Sequence, residues 1–323
     1  MENALTRLLA QKEIVIADGA MGTNLFKLGL RNRSSGELWN VEHPDLVASV
    51  HQGFVDAGSD ILLTNTFGAN RLRLALHKFD SRVREINLSA ARIARAVADK
   101  ARRPIVIAGD IGPIGELLAP LGSRSEAEAE DVFFEQAQAL KEGGVDIVWI
   151  ETMFADNELD AAIRAAQRAG LDCVATMSFD TGGRTMMGAS PEHAMRRVRA
   201  SQYKPIAFGA NCGVGPAQLV DSIIGLVRGA EDDGIVVAKS NCGIPVLDNE
   251  MRVSYNGNPE VMGVYACMAR DAGARIIGGC CGTTALHIKS MCGALARQPK
   301  GPAPSYDEIQ RRLGPVKITT TAV

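Results

Sequence analysis

The sequence predicts a single (β/α)8 barrel, and three features carry that expectation. Short apolar, β-branched runs alternate with Ala-rich amphipathic segments along most of the 323 residues. The apolar runs number eight and read apolar throughout, as strands of a parallel sheet covered on both faces do. No Pro/Gly-rich linker or composition break interrupts residues 1–297, and a barrel of this kind typically takes roughly 250 residues. A doubly wound open sheet is the rival, since it shares the alternation but needs no closure.

In chain order the predicted strands are Ile14–Asp18, Asp60–Phe67, Pro104–Asp110, Asp146–Thr152, Cys173–Phe179, Ile206–Cys212, Val236–Cys242 and Ala274–Cys281. The segments read as helices include Ser81–Ala101, Ala127–Gly143, Glu158–Gly170, Pro191–Ser201, Pro216–Gly229, Pro259–Gly273 and Thr284–Arg297. Start and stop signals bound several of them: Ser190-Pro191-Glu192 opens one, and Glu142-Gly143-Gly144 closes another. Residues 298–323, beginning Gln298-Pro299-Lys300-Gly301-Pro302, read as an irregular tail lying on the outside of the barrel.

Composition narrows the function. Lys and Arg total 35 against 37 Asp and Glu, a formal net charge of −2. Without a basic tail or cluster there is no electrostatic footprint for nucleic acid. No apolar run reaches the ~18 residues of a membrane helix. The start, Met1-Glu2-Asn3-Ala4-Leu5, lacks the basic region of a signal peptide, so a cytoplasmic enzyme is expected.

In such a barrel, chemistry belongs at the C-terminal ends of the strands. All seven cysteines lie in the second half of the chain, and several fall at those ends: Cys212 after strand 6, Cys242 after strand 7, Cys280 and Cys281 after strand 8. Three thiolates converging on one mouth suit a soft or borderline cation, zinc first. Neighbouring residues of a regular strand point to opposite faces, so Cys280 and Cys281 reach one ion only if the backbone leaves β geometry; Gly278, Gly279 and Gly282 permit that. The plainer alternatives are buried small apolar groups, a vicinal disulfide, or a closed four-sulfur site completed by Cys242. Three protein thiolates leave one tetrahedral position open, and a thiol substrate fits it: its pKa of about 8.5 leaves little thiolate at neutral pH until a metal takes the proton. Asp18 and Glu151, at other strand ends, are candidates to hold a substrate ammonium; the competing roles are a helix cap or a surface acid.

The segments Asp18–Thr23 (DGAMGT), Thr64–Asn70 (TNTFGAN), Gly109–Pro113 (GDIGP), Ile150–Met153 (IETM), Asn211-Cys212 and Gly278–Thr283 (GGCCGT) resemble the homocysteine S-methyltransferases, over about residues 12 to 295. The resemblance implies a zinc-dependent (β/α)8 barrel that methylates homocysteine to methionine. It implies Cys212, Cys280 and Cys281 as zinc ligands, with Asp18 and Glu151 holding the homocysteine amino group and Asn211 lining the substrate site. Cys242 matches a position that is not a ligand in the family.

The resemblance also bears on the methyl donor. No His has Asp two places before it, as the corrinoid signature Asp-x-His requires, and folate and cobalamin domains do not fit in 323 residues. Glu37-Leu38-Trp39-Asn40, followed by His43-Pro44-Asp45, looks most like bacterial betaine–homocysteine methyltransferases. Trp39 and Phe67 are then the rings for a quaternary ammonium, each cation–π contact being worth ~0.5–2 kcal/mol. Two departures stand out: Gly68 occupies a position where the animal betaine enzymes have tyrosine, and their long C-terminal dimerisation arm is not matched. A sulfonium donor, or a separate corrinoid protein supplying the methyl group, are the alternatives. The expected partners are small molecules, homocysteine and betaine first, with no nucleic acid and no membrane; a homo-oligomer is left open.

Overall fold

A computed structural model describes residues 3–31, 34–231, 234–247 and 253–316. Its strands are β1 (Val15–Ile16), β2 (Ile61–Leu63), β3 (Val106–Ile111), β4 (Ile147–Met153), β5 (Cys173–Met177), β6 (Ala207–Cys212), β7 (Val236–Ser240), β8 (Pro245–Leu247), β9 (Val253–Tyr255) and β10 (Ala274–Gly279). Eight of them form one sheet in the order β1-β10-β7-β6-β5-β4-β3-β2, every pairing parallel. A parallel bridge between Ala17 and Ile61, and the Asp60 amide donating to the Ile16 carbonyl at 2.6 Å, bring the two ends of that sheet together. The sheet therefore closes, and the expected (β/α)8 barrel is the fold.

Strand alternation sorts side chains to two cores. Val15, Ala17, Ile61, Leu63, Val106, Ala108, Ile147, Trp149, Val174, Ala207, Val237 and Ile276 fill the barrel interior. Leu5, Leu8 and Leu9 of the helix Ala4–Gln11 pack onto that inner cluster. The intervening residues, such as Ile107, Val148, Ala175, Phe208, Ala238 and Ile277, pack outward against the ring of helices. Following the inward series up each strand gives the composition of the mouth: Asp110 on β3, Glu151 on β4, Thr176 on β5, Asn211 on β6, Lys239 on β7 and, past the end of β10, Cys280. Polar side chains on a buried face must find partners.

The structure departs from the expected elements in four places. Asp60–Phe67 is strand only over Ile61–Leu63; beyond it the Thr66 amide donates to the Thr64 carbonyl at 2.9 Å and the two hydroxyls bond each other at 2.6 Å, a local turn in place of the ladder. The connection from β1 to β2 carries three helices, Gly22–Lys27, Trp39–Glu42 and Pro44–Ala57. β8 and β9 form an antiparallel hairpin after β7. The tail expected to be irregular contains the helix Tyr306–Leu313, whose Ile309 is fully buried against the outer core. Arg270 holds the approach to it, donating to the carbonyls of Gln298 (2.5 Å) and Pro299 (2.8 Å). Leu313, one turn beyond Ile309, packs against the same core. Residues 317–323 of the expected tail lie outside the described residues.

Candidate functional site

The sulfur atoms of Cys212, Cys280 and Cys281 lie within 4.8 Å of one another. The backbone departs from strand geometry to bring them there. Cys212 adopts φ 62°, the left-handed region that a non-glycine residue enters at a cost. Gly282 follows Cys281 with φ 80°, and a Cβ there would stand 2.6 Å from Tyr255 Cβ. Both conditions, a left-handed turn and a close neighbour, require glycine. Asn241 clamps the turn by accepting from the Cys281 amide (3.0 Å) and donating to the Gly213 carbonyl (2.6 Å), so it ties the two thiol-bearing loops together.

Mutual hydrogen bonds shift these thiols in opposite directions. Hydrogen bonds from Cys212 and Cys280, with a further one from the Tyr255 hydroxyl, pull the Cys281 thiol down to about 3. Cys212 is pushed well above the thiol range, first by its bonds to Cys280 and Cys281 and then by burial. Cys242, the fourth sulfur considered, is not in the cluster. It is buried, burial pushes its thiol up to about 11, and its amide donates to the Cys281 carbonyl at 2.8 Å.

The acids stand at the same mouth. Asp18 is 2% exposed, and its Oδ2 accepts the Leu63 amide at 2.8 Å. Glu151 is 8% exposed, next to a register shift of β4 against β5 where Thr152 takes φ 64°. Such a bulge re-aims the side chains around it. Between the two acids lies Lys239, its Nζ 3.5 Å from Asp18 Oδ1 and 3.5 Å from Glu151 Oε2. The same ammonium lies 5.2 Å from the centroid of the Trp149 ring below it.

Burial dominates the ionisation of this group. It raises Asp18 to about 6 and Glu151 to about 7 despite the opposing pull of Lys239. For Lys239, burial works against the charge, and Glu151 and Asp18 together overcome it, so its pKa lies above the usual lysine range. Asp110 is pushed well above the carboxylate range by burial and then by Glu151, and its Oδ1 has no hydrogen-bond partner among the described residues. Asn211 joins the thiols to the charges: it bonds Thr152, the neighbour of Glu151, and lies 3.9 Å from Cys280 Sγ.

Asn211 is fully buried and engaged. Its Oδ1 accepts the Thr152 amide (2.8 Å) and the Thr176 hydroxyl (2.7 Å). Its Nδ2 donates to Thr152 Oγ1 (2.7 Å) and lies 3.9 Å from Cys280 Sγ. The amide expected to line a substrate thus braces the site wall.

Phe67 stands where β2 opens into the mouth. Its carbonyl accepts the Gly112 amide at 3.0 Å, and the Arg73 guanidinium lies 5.8 Å from its ring centroid. Trp39 packs elsewhere: edge-on to His43, with centroids 4.8 Å apart, and onto the cluster of Leu25, Leu30 and Val47. Its neighbours are struts. Glu37 accepts the Gly68 amide (2.8 Å), and Asn40 donates to the Asn65 carbonyl (2.8 Å), tying the loop after β1 to the end of β2.

The three thiols and two acids singled out in the sequence stand at the same mouth; Lys239, Asp110, Asn241 and Tyr255 were passed over. The inward alternation along β3 and β7 carried the signal for Asp110 and Lys239. Tyr255 sits on a hairpin with no periodic signature.

A family profile described as homocysteine S-methyltransferase matches residues 15–295. Among curated relatives, a methionine synthase of Mycobacterium tuberculosis is 32% identical over 308 residues, 90% of this chain and 25% of the relative. A methionine synthase of Mycobacterium leprae is 31% identical over 316 residues, 93% and 26% respectively. The chain thus spans about a quarter of the length of these relatives. Among solved structures, the metallated form of the homocysteine methyltransferase MmuM from Escherichia coli shares the fold, with TM-score 0.71 at 22% identity, covering 90% of this chain and 99% of that one.

Proposed function

This chain belongs to the homocysteine S-methyltransferase family, and on that premise we propose that it transfers a methyl group from betaine or a related onium donor to homocysteine, giving methionine, with zinc as its metal and the cytoplasm as its compartment. The observation that carries this reading is the meeting of three thiols and two ammonium-binding acids at one mouth. No helix among the described residues is long and apolar enough to cross a membrane.

The donor set fits the metal. Thiolates ~2.3 Å from a tetrahedral zinc stand about 3.8 Å apart, and these sulfurs already lie within 4.8 Å of one another. Cys212, Cys280 and Cys281 would hold the ion, and the strained turn at Cys212 keeps them converged before it arrives. Zinc so held supplies the Lewis acidity that keeps a thiol substrate ionised at neutral pH. Asp18 and Glu151 receive the α-ammonium and fix the sulfur of homocysteine toward the donor. The substrate sulfur then forms a bond to the methyl carbon while the methyl–nitrogen bond breaks, its electron pair leaving on a neutral amine. That step needs alignment rather than a base. We assign the donor side to Phe67, at the mouth, and keep Trp39 as a second candidate ring that packs on Leu25, Leu30 and Val47 and is tied to the mouth only through the Glu37–Gly68 bond of its loop.

Similarity to methionine synthases four times longer favours a second reading, in which this barrel accepts its methyl group from a separate corrinoid protein. Purified zinc-loaded protein, assayed with homocysteine and betaine, separates the two. Methionine should form without further components; formation only after a methylcorrinoid protein is added would replace the first reading with the second.

A further inference from the structure

Lys239 is a cation on the inward face of an apolar strand, 2% exposed. Burying an ammonium is costly unless it is well paired, and a lysine kept only for structure is expected to be held tightly. Lys239 is not. Both of its ion-pair contacts are 3.5 Å long. At the opposite end of the barrel, by contrast, Lys12 holds Asp60 at 2.6 Å. The other buried cationic side chain among the described residues, Arg270, is committed to Asp271 and the carbonyls of Gln298 and Pro299. The mouth therefore has one buried ammonium, slackly placed, in contact with both acids proposed to bind the substrate amino group.

The substrate class of the preceding section explains this arrangement, and the inference rests on that reading. The two charges of an α-amino acid share one carbon. When an α-ammonium settles against Asp18 and Glu151, its carboxylate lies within reach of any group that touches both acids. Without a cation there, a desolvated carboxylate would face Asp18 and Glu151 at short range, where repulsion is poorly screened. Lys239 has three donors, and the acids occupy two of them at a stretch.

We propose that Lys239 is a specificity-determining residue that receives the α-carboxylate of homocysteine while Asp18 and Glu151 receive its α-ammonium. The mouth is then a receptor for a zwitterion, with alternating acid, ammonium, carboxylate and lysine, rather than for an amine.

Calorimetric binding to the zinc-loaded protein tests this with two ligands: homocysteine and 3-aminopropane-1-thiol, which has the same thiol-to-amine spacing without the carboxylate. The unaltered protein should bind homocysteine at least about tenfold more tightly, the value of one charge-assisted bond. Lys239→Met should erase that preference by weakening homocysteine at least about tenfold while leaving the aminothiol within about twofold. Lys239→Arg should keep most of the preference. Equal weakening of both ligands by Lys239→Met makes the lysine a structural counter-ion and overturns the proposal, as does unchanged homocysteine affinity. If that variant does not fold, the ligand preference of the unaltered protein decides: no preference for the carboxylate overturns the proposal. If the unaltered protein binds the aminothiol but shows no preference, only the lysine assignment fails; if it binds neither, the homocysteine reading fails and takes this one with it.

Discussion

Asn211 and Thr152 hold each other by a reciprocal pair of hydrogen bonds, the Thr152 amide donating to Oδ1 at 2.8 Å and Nδ2 donating to the Thr152 hydroxyl at 2.7 Å. The pair links β6 to β4, and Thr152 and Cys212 are the two non-glycine residues of the site in the left-handed region. Glu151 precedes one partner and Cys212 follows the other. A single amide thus sets an acid and a thiol of the cluster relative to each other.

Asn211→Leu leaves the Thr152 amide and the Thr176 hydroxyl buried without a partner. Unsatisfied buried groups of this kind cost about 1–3 kcal/mol each, so unfolding in urea should show a loss of roughly 2–4 kcal/mol. Metal content and homocysteine affinity should fall together, because both depend on the same wall. A variant that loses stability while retaining both would separate the brace from the site.

The acids predict an unusual pH response. Burial lifts Asp18 to about 6 and Glu151 to about 7, above the unfolded values near 4. Between those limits the folded state binds more protons than the unfolded one, so stability from this pair is present at low pH and declines as pH rises through about 6 and about 7. Substrate binding runs the other way, since an ammonium needs both acids ionised. Homocysteine KM should therefore rise as pH falls from about 7 to about 6, first with Glu151 and then with Asp18. Glu151→Gln should raise KM at all pH values and remove the upper part of that dependence. A wild-type KM flat across this range would contradict the assignment.

The barrel was legible because its strands are apolar and its helices Ala-rich, a contrast that survives without any knowledge of contacts. The thiol cluster was legible because Cys212, Cys280 and Cys281 sit at strand ends beside glycine. Lys239 and Asp110 were harder to read: alternation along Val237-Ala238-Lys239 and Ala108-Gly109-Asp110 points both side chains inward, yet a lone charge in a strand also reads as an edge or a boundary. The Glu37–Asn40 stretch carries a role besides the one read from it. It was singled out for its aromatic residue, whereas Glu37 and Asn40 act as struts to Gly68 and Asn65, a role that only long-range backbone contacts reveal.

Removing one sulfur should disarm the centre without unfolding the barrel. Cys280→Ala takes away a small, 9% exposed side chain, whose loss as packing is worth about 1 kcal/mol. The helical circular dichroism signal should be retained, zinc measured by atomic absorption should fall below one equivalent, and methionine formation should vanish with it. Cys242→Ala should keep both metal and turnover, because its sulfur stands outside the triad. Full activity in metal-free protein would exclude the metal role altogether.

The two rings proposed for the donor differ in what else they do, and that difference makes them separable. Phe67→Ala removes a ring at the mouth and frees the Arg73 guanidinium that now lies over it at 5.8 Å. Betaine KM should rise by about five- to thirtyfold, the equivalent of one to two kcal/mol of cation–π attraction, with homocysteine KM nearly unchanged. Trp39→Ala also empties part of the cluster of Leu25, Leu30 and Val47, so it should lower stability by about 2–4 kcal/mol as well as raise the betaine KM. Loss of stability with betaine kinetics untouched would confine Trp39 to packing and leave Phe67 as the ring that faces the onium group.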